Sequence, residues 1–163
     1  MKPKVAVLGS INMDLVAQVN KFPGPGETIS GSSFNQIPGG KGANQAVASA
    51  RMGAEVSMFG AIGGDSFGPN LLESLQDEGI NTTNVDKLPG STGVALITVD
   101  DHGENKIVII PGANGKVGRN YCDRIIDSLV QFDVVLFQLE IPRDTVTQAL
   151  RKISQSGFSL ALL

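Results

Sequence analysis

Apolar positions along this chain follow two rhythms: short unbroken runs, and longer stretches in which apolar residues recur three or four apart. Val5-Ala6-Val7-Leu8, closed by Gly9, has the continuous apolar character of a parallel strand buried on both faces. Residues 55–62 and 133–138 predict two more such strands, and 158–163 reads as a last one. Helical spacing predicts helices over about 42–52, 65–77, 119–130 and 143–156, with Asp65 as an N-cap and Gly53, Gly79 and Gly157 as stops. This alternation predicts an α/β fold, a parallel sheet with helices on both faces.

Four further segments, 14–19, 27–37, 93–99 and 105–110, are β-biased but fall outside that rhythm. The first two are separated by Phe22-Pro23-Gly24-Pro25-Gly26, which forbids helix, and the last two by Asp100-Asp101-His102-Gly103-Glu104, a hairpin turn. Together they predict a small antiparallel sheet, set as a lid outside the main one.

Composition narrows the partners. A net charge of −3 with scattered Lys and Arg gives no basic field for nucleic acid. No apolar run approaches the ~18 residues of a membrane span, and Lys2 and Lys4 lead into a short strand, not a secretory leader, so a cytoplasmic protein is expected. The single Cys122 excludes an internal disulfide and fits a small buried side chain on an amphipathic helix. His102, at a turn tip without a second His or Cys nearby, predicts no metal site.

The candidate chemistry gathers around Gly39-Gly40-Lys41-Gly42-Ala43-Asn44-Gln45-Ala46. Its glycines allow close approach to the backbone, and the helix that follows should present its first N–H groups, with their partial positive charge, to a polar ligand. It is not a Walker A loop, because Gly42 stands where that motif needs Ser or Thr for Mg²⁺. Asn12 and Asp14, two apart at a strand end, face the same side. On residues alone, a solvated strand end with an Asx turn is the plainer reading of that pair. Glu140 follows an apolar strand and precedes Pro142, at the strand end where α/β proteins hold ligands; a carboxylate at a helix start is the alternative.

The spaced pattern Gly39-Gly40-x-Gly42-x-Asn44-x-Ala46, with Gly53 and Gly63 following, resembles the signature of the PfkB-type carbohydrate kinases. Gly9-Ser10-Ile11-Asn12-Met13-Asp14 resembles their sugar-binding opening strand. Ser91-Thr92-Gly93-Val94-Ala95-Leu96, Gly112-Ala113-Asn114 and Gln138-Leu139-Glu140 fall in the order of the ribokinase group.

The resemblance covers nearly the whole chain and implies a ribokinase-like α/β domain of which residues 1–163 form the N-terminal portion, with lid strands near 14–37 and 93–111. It implies sugar contacts by Asn12, Asp14, Gly39, Gly40, Lys41, Asn44 and Glu140, and more weakly by Asn114. It further implies D-ribose or a similar pentose as substrate, with ATP, Mg²⁺ and a monovalent cation activator for the full-length enzyme; the Ile, Val and Phe residues of the open lid sheet separately predict a homodimer formed through the lid. The family's general base lies in a C-terminal Gly-Ala-Gly-Asp segment that this sequence lacks; Gly63-Gly64-Asp65 reads instead as a loop and helix cap. The expectation is therefore a sugar-binding and lid half without catalytic, nucleotide or metal residues of its own, cut short by truncation or frameshift in the strand at 158–163. Two alternatives stand beside it: a non-catalytic sugar-binding or dimerisation module, and another kinase of the family, such as a fructokinase or adenosine kinase.

Overall fold

β1 (Lys4–Leu8) lies at the centre of a five-stranded sheet, where Ala6, Val7 and Leu8 are fully buried between helices on either side. The structure is a computed structural model that describes residues 2–155 and 161–162. The sheet runs in the order β5 (Asn81–Leu88), β4 (Glu55–Gly63), β1, β8 (Val134–Phe137), β9 (Ala161–Leu162), with every neighbouring pair parallel. The expected last strand is thus represented by β9; Gly157 and the flanking residues 156–160 and 163 lie outside the described residues.

Alternate residues of β1 and β4 feed two apolar layers, as the period of two requires. Val5, Val7, Val56 and Met58 pack under α1 (Lys41–Arg51) and α2 (Phe67–Asp77), while Ala6, Leu8, Phe59 and Ala61 pack under α3 (Arg119–Leu129) and α4 (Arg143–Gln155). Cys122 is one of the fully buried residues of the second layer.

A second sheet of four strands has the order β3 (Gly31–Gly39), β2 (Asn12–Val19), β6 (Gly93–Val99), β7 (Asn105–Ile110). Its outer pairs are antiparallel, as expected, but the central β2–β6 pair is parallel, which makes the sheet mixed. Both central strands leave the main sheet at the same end and run outward side by side. The strand expected from residue 27 begins only at Gly31, because the Glu27 carboxylate turns back to accept the Gly24 N–H at 2.8 Å and pair with Lys21 at 2.7 Å. That closes a turn instead of extending a strand.

Sequence periodicity missed β5. Asn81-Thr82-Thr83-Asn84-Val85-Asp86-Lys87-Leu88 is polar because it is an edge strand. Its register against β4 shifts between Ser57 and Phe59, and there the buried Tyr121 hydroxyl stands in for a ladder bond: it accepts the Gly60 N–H at 2.8 Å and donates to the Asn84 carbonyl.

Candidate functional site

The starts of β2 and α1 and the end of β8 meet at one mouth of the main sheet. Ser10 is fully buried there and connects the other groups. Its hydroxyl donates to Glu140 Oε2 at 2.7 Å and accepts the Gly42 N–H at 3.3 Å, and its carbonyl accepts the Ala43 N–H at 2.9 Å. Glu140 Oε2 also accepts the Lys41 N–H at 3.2 Å, while Oε1 pairs with Lys41 Nζ at 2.9 Å.

The first three N–H groups of α1 are therefore satisfied from within the chain. This corrects the expectation that they point outward to a ligand: Glu140, 99 residues away in sequence, is the anion at this helix start. Burial disfavours its charge, but the bonds from the Lys41 side chain, the Ser10 hydroxyl and the Lys41 N–H outweigh burial and hold its carboxyl below the usual range. Three of its roughly four lone-pair positions are engaged, and one on Oε1 remains for a ligand.

Asp14 is the opposite case. It is half-buried and its carboxylate accepts no hydrogen bond among the described residues; burial first, and then the charge of Glu140, push its carboxyl above the usual range. It lies over Gly39, where a Cβ would come within 2.3 Å of Oδ2. Gly40 opens α1 with φ of 92°, and a Cβ there would meet Asn12 N at 2.8 Å. Gly40 is thus required by the fit of β2 against the helix start, and Gly39 leaves the space that the Asp14 carboxylate occupies.

Asn12 is buried, and Asn114 stands behind it. The Asn114 amide accepts the Ile11 N–H at 3.0 Å and donates to the Ile11 carbonyl at 3.1 Å and to Asn12 Oδ1 at 2.7 Å. The structure thus brings Asn12, Asp14, Gly39, Gly40, Lys41 and Glu140 together, and places Asn114 as their support. Asn44 is exposed on the first turn of α1, and its side chain bonds to none of the others.

Ser10 and Gln138 were missed by sequence reasoning. Ser10 carried a signal, since it precedes Asn12 by two on the same segment. Gln138, whose Nε2 donates to Gln45 Oε1, explains two glycines: a Cβ at Gly9 would lie 1.5 Å from its Oε1, and one at Gly42 would lie 2.8 Å away.

Two carboxylates with spare acceptor capacity, a buried amide and an ammonium converge at this mouth. Such a set suits a neutral polyhydroxylated ligand, whose hydroxyls both donate and accept. The α1 N-terminus already holds the Glu140 carboxylate and is not open to a phosphate; the described residues contain no cluster of three or more His, Cys, Asp or Glu able to hold a metal ion.

The family described as pfkB family carbohydrate kinase matches residues 2–162. A ribokinase of Lactococcus lactis subsp. lactis is 46% identical over 143 residues, which cover 87% of this chain and 47% of that protein. A deoxyribokinase of Salmonella typhi is 39% identical, covering 97% of this chain and 52% of that protein. The structure of Arabidopsis thaliana ribokinase complexed with ribose and ATP superposes with a TM-score of 0.89 at 31% identity, covering 99% of this chain and 53% of that one. The chain spans about half the length of the curated relatives it matches.

Proposed function

Because this chain belongs to the pfkB family of carbohydrate kinases, we propose that its 163 residues form the sugar-binding and lid half of a ribokinase-like enzyme, which transfers the γ-phosphoryl of ATP to D-ribose to give ribose 5-phosphate. The observation that carries the reading is Asp14: a half-buried carboxylate without a partner, beside a second carboxylate, needs hydrogen-bond donors, and sugar hydroxyls supply them.

Asp14 and Glu140 accept from hydroxyls, and Asn12 and Lys41 donate. Asn44 reaches the sugar from the first turn of α1. The face of the second sheet that carries Asp14 also carries Ile37, Ala95 and Ile109 and closes over the sugar as a lid, excluding water.

ATP and Mg²⁺ belong to the whole enzyme, with a monovalent cation as activator. The described residues do not fit them. The lid's other face exposes Phe34, Leu96, Val108 and Ile110, and we propose that a second copy of the chain covers it, giving a homodimer. The place of action is the cytoplasm; among the described residues no helix is long and apolar enough to cross a membrane.

The deoxyribokinase relative makes 2-deoxyribose the competing ligand. Calorimetric titration of the chain with ribose, 2-deoxyribose, fructose and adenosine tests the reading. Heat with ribose exceeding that with the other three supports it; a preference for fructose or adenosine moves the chain to another kinase of the family. Incubation of the same 163-residue chain with Mg-ATP and ribose is expected to release no ADP above a boiled control. Sugar-dependent ADP release overturns the assignment of the nucleotide side to residues outside this chain.

A further inference from the structure

We infer that Asn114 is a positioning residue that locks the Asn12 amide with its NH₂ group toward the site, so that the ligand group facing Asn12 must accept a hydrogen bond. Only the ligand's identity as a sugar rests on the function proposed above; the locking stands on the protein alone.

The orientation follows from the backbone. An N–H can only donate and a carbonyl can only accept, so the Ile11 N–H, 3.0 Å from Asn114, fixes that atom as Oδ1, and the Ile11 carbonyl, 3.1 Å away, fixes the other as Nδ2. The same Nδ2 lies 2.7 Å from the Asn12 side chain, which must therefore turn its oxygen inward. Asn12 and Asn114 are 4% and 2% exposed, so water cannot replace this partner. Asn12 Nδ2 is left without a protein partner, yet it is not among the side-chain atoms sealed from solvent. A donor pointing at the mouth is what remains.

Gly93 completes the arrangement. It pairs with Asn12 in the β2–β6 register, and a Cβ on it would fall 2.1 Å from Asn114 Nδ2 and 2.2 Å from Asn12 Oδ1. Asn114 itself follows β7 through Pro111 and Gly112. The start of β2, the start of β6 and the chain leaving β7 thus close on one amide pair, and the direction of the Asn12 donor is tied to the seating of the lid.

Gly93 Hα provides a direct probe, because it adjoins the contact between the two amides. In nuclear Overhauser spectra of the chain with ¹⁵N-labelled asparagine, the Asn114 NH₂ is expected to show a strong cross-peak to Gly93 Hα, and the Asn12 NH₂ a weak one. In Asn114→Asp the carboxylate still accepts the Ile11 N–H but opposes Asn12 Oδ1. The Asn12 amide then turns, its cross-peak to Gly93 Hα appears, and the Kd for ribose rises at least ten-fold.

A strong Asn12 NH₂ to Gly93 cross-peak in the wild-type chain, or an Asn12 amide unmoved in a folded Asn114→Asp, overturns the inference. If that variant does not fold, the wild-type pattern decides alone. The expected wild-type pattern without any ribose-induced shift of the Asn12 NH₂ supports the positioning role and counts against ribose only.

Discussion

The carboxylate of Asp65 holds Thr92 through two short bonds, accepting its backbone N–H at 2.8 Å and its hydroxyl at 2.6 Å. Asp65 lies on the turn between β4 and α2 and also accepts the Gly68 N–H at 3.2 Å, while Thr92 immediately precedes β6. The N-cap position of α2 is Ser66, one residue on from the expected Asp65, yet the Asp65 side chain still accepts a first-turn N–H of that helix and fastens the base of the second sheet. Asp65→Ala is expected to lower the unfolding free energy by about 2 kcal/mol and to speed amide exchange in β6, measured by urea denaturation and hydrogen exchange.

The sign of its pH dependence follows. Burial disfavours the Asp65 charge, but the bonds from the Thr92 hydroxyl, the Thr92 N–H and the Gly68 and Phe67 N–H groups outweigh it, so its carboxyl titrates below the ordinary aspartate range. Its contribution is complete above the unfolded-state value and is lost as pH falls through the lower folded value. An Asp65→Ala chain should show a flatter fall in stability across that acid window.

Asp14 should behave in the reverse sense. Burial and the Glu140 charge raise its pKa, so the ionised form opposes folding at neutral pH, and that opposition is relieved as pH falls through the raised value. Asp14→Asn is expected to raise Tm by about 1–3 °C while weakening ribose binding by about 2 kcal/mol. Ribose affinity in the wild-type chain should also decline, as pH falls, earlier than an ordinary aspartate would allow. A variant that loses stability, or binds ribose as well as the wild type, removes Asp14 from the site.

Glu140→Gln separates helix support from ligand contact. The amide oxygen can still accept from Ser10 and the Lys41 N–H, but the ion pair with Lys41 Nζ is gone. That ammonium is largely exposed, so a cost of about 1 kcal/mol is expected by chemical denaturation. Because the folded pKa of Glu140 is lowered, its share of stability in the wild type is present above the unfolded value and fades as pH falls through the folded one.

Gly42→Ala should destabilise the chain by about 1–3 kcal/mol although alanine favours helix, because its Cβ would come 2.6 Å from Ser10 N and 2.7 Å from Ser10 O, which cannot give way. Gly64→Ala, whose Cβ would have only the Leu88 carbonyl at 3.7 Å, serves as the control and should change stability by less than about 0.5 kcal/mol. Thermal unfolding of the two variants side by side checks the contrast.

What the sequence made legible follows from where each residue's signal originates. β1 and β4 are buried on both faces, and β8 on one face and partly on the other, so all three appear as apolar runs, and α1 to α4 carry their inward face as helical spacing. β5 is seated by backbone bonds and the Tyr121 hydroxyl, so its side chains had no need to be apolar. Asn12, Asp14 and Glu140 stood out through the spaced pattern shared with the carbohydrate kinases, since polar residues at strand ends read as solvated on their own. Gln138 and the occupied N-terminus of α1 could not be picked out, since their bonds cross 32 to 99 residues of chain, and Ser10 offered only its spacing from Asn12. Asn114, expected as a weaker sugar contact, bonds both polar groups of the Ile11 backbone and the Asn12 side chain, links across about a hundred residues that spacing does not reveal.

The hydroxyl wedged between β4 and β5 also gives the protein an optical reporter. Tyr121 is the only tyrosine in the chain and there is no tryptophan, so its emission and absorbance arise from a single place. Burial pushes its phenol well above the ordinary value, against the Gly60 N–H, which favours ionisation. The folded chain should therefore remain free of tyrosinate absorbance at alkaline pH where a free phenol ionises, and the band should grow in only as β5 comes away. Stability held by the neutral phenol is full below the unfolded value of ~10 and declines above it, so base-induced unfolding can be followed at this one strand edge without any added label.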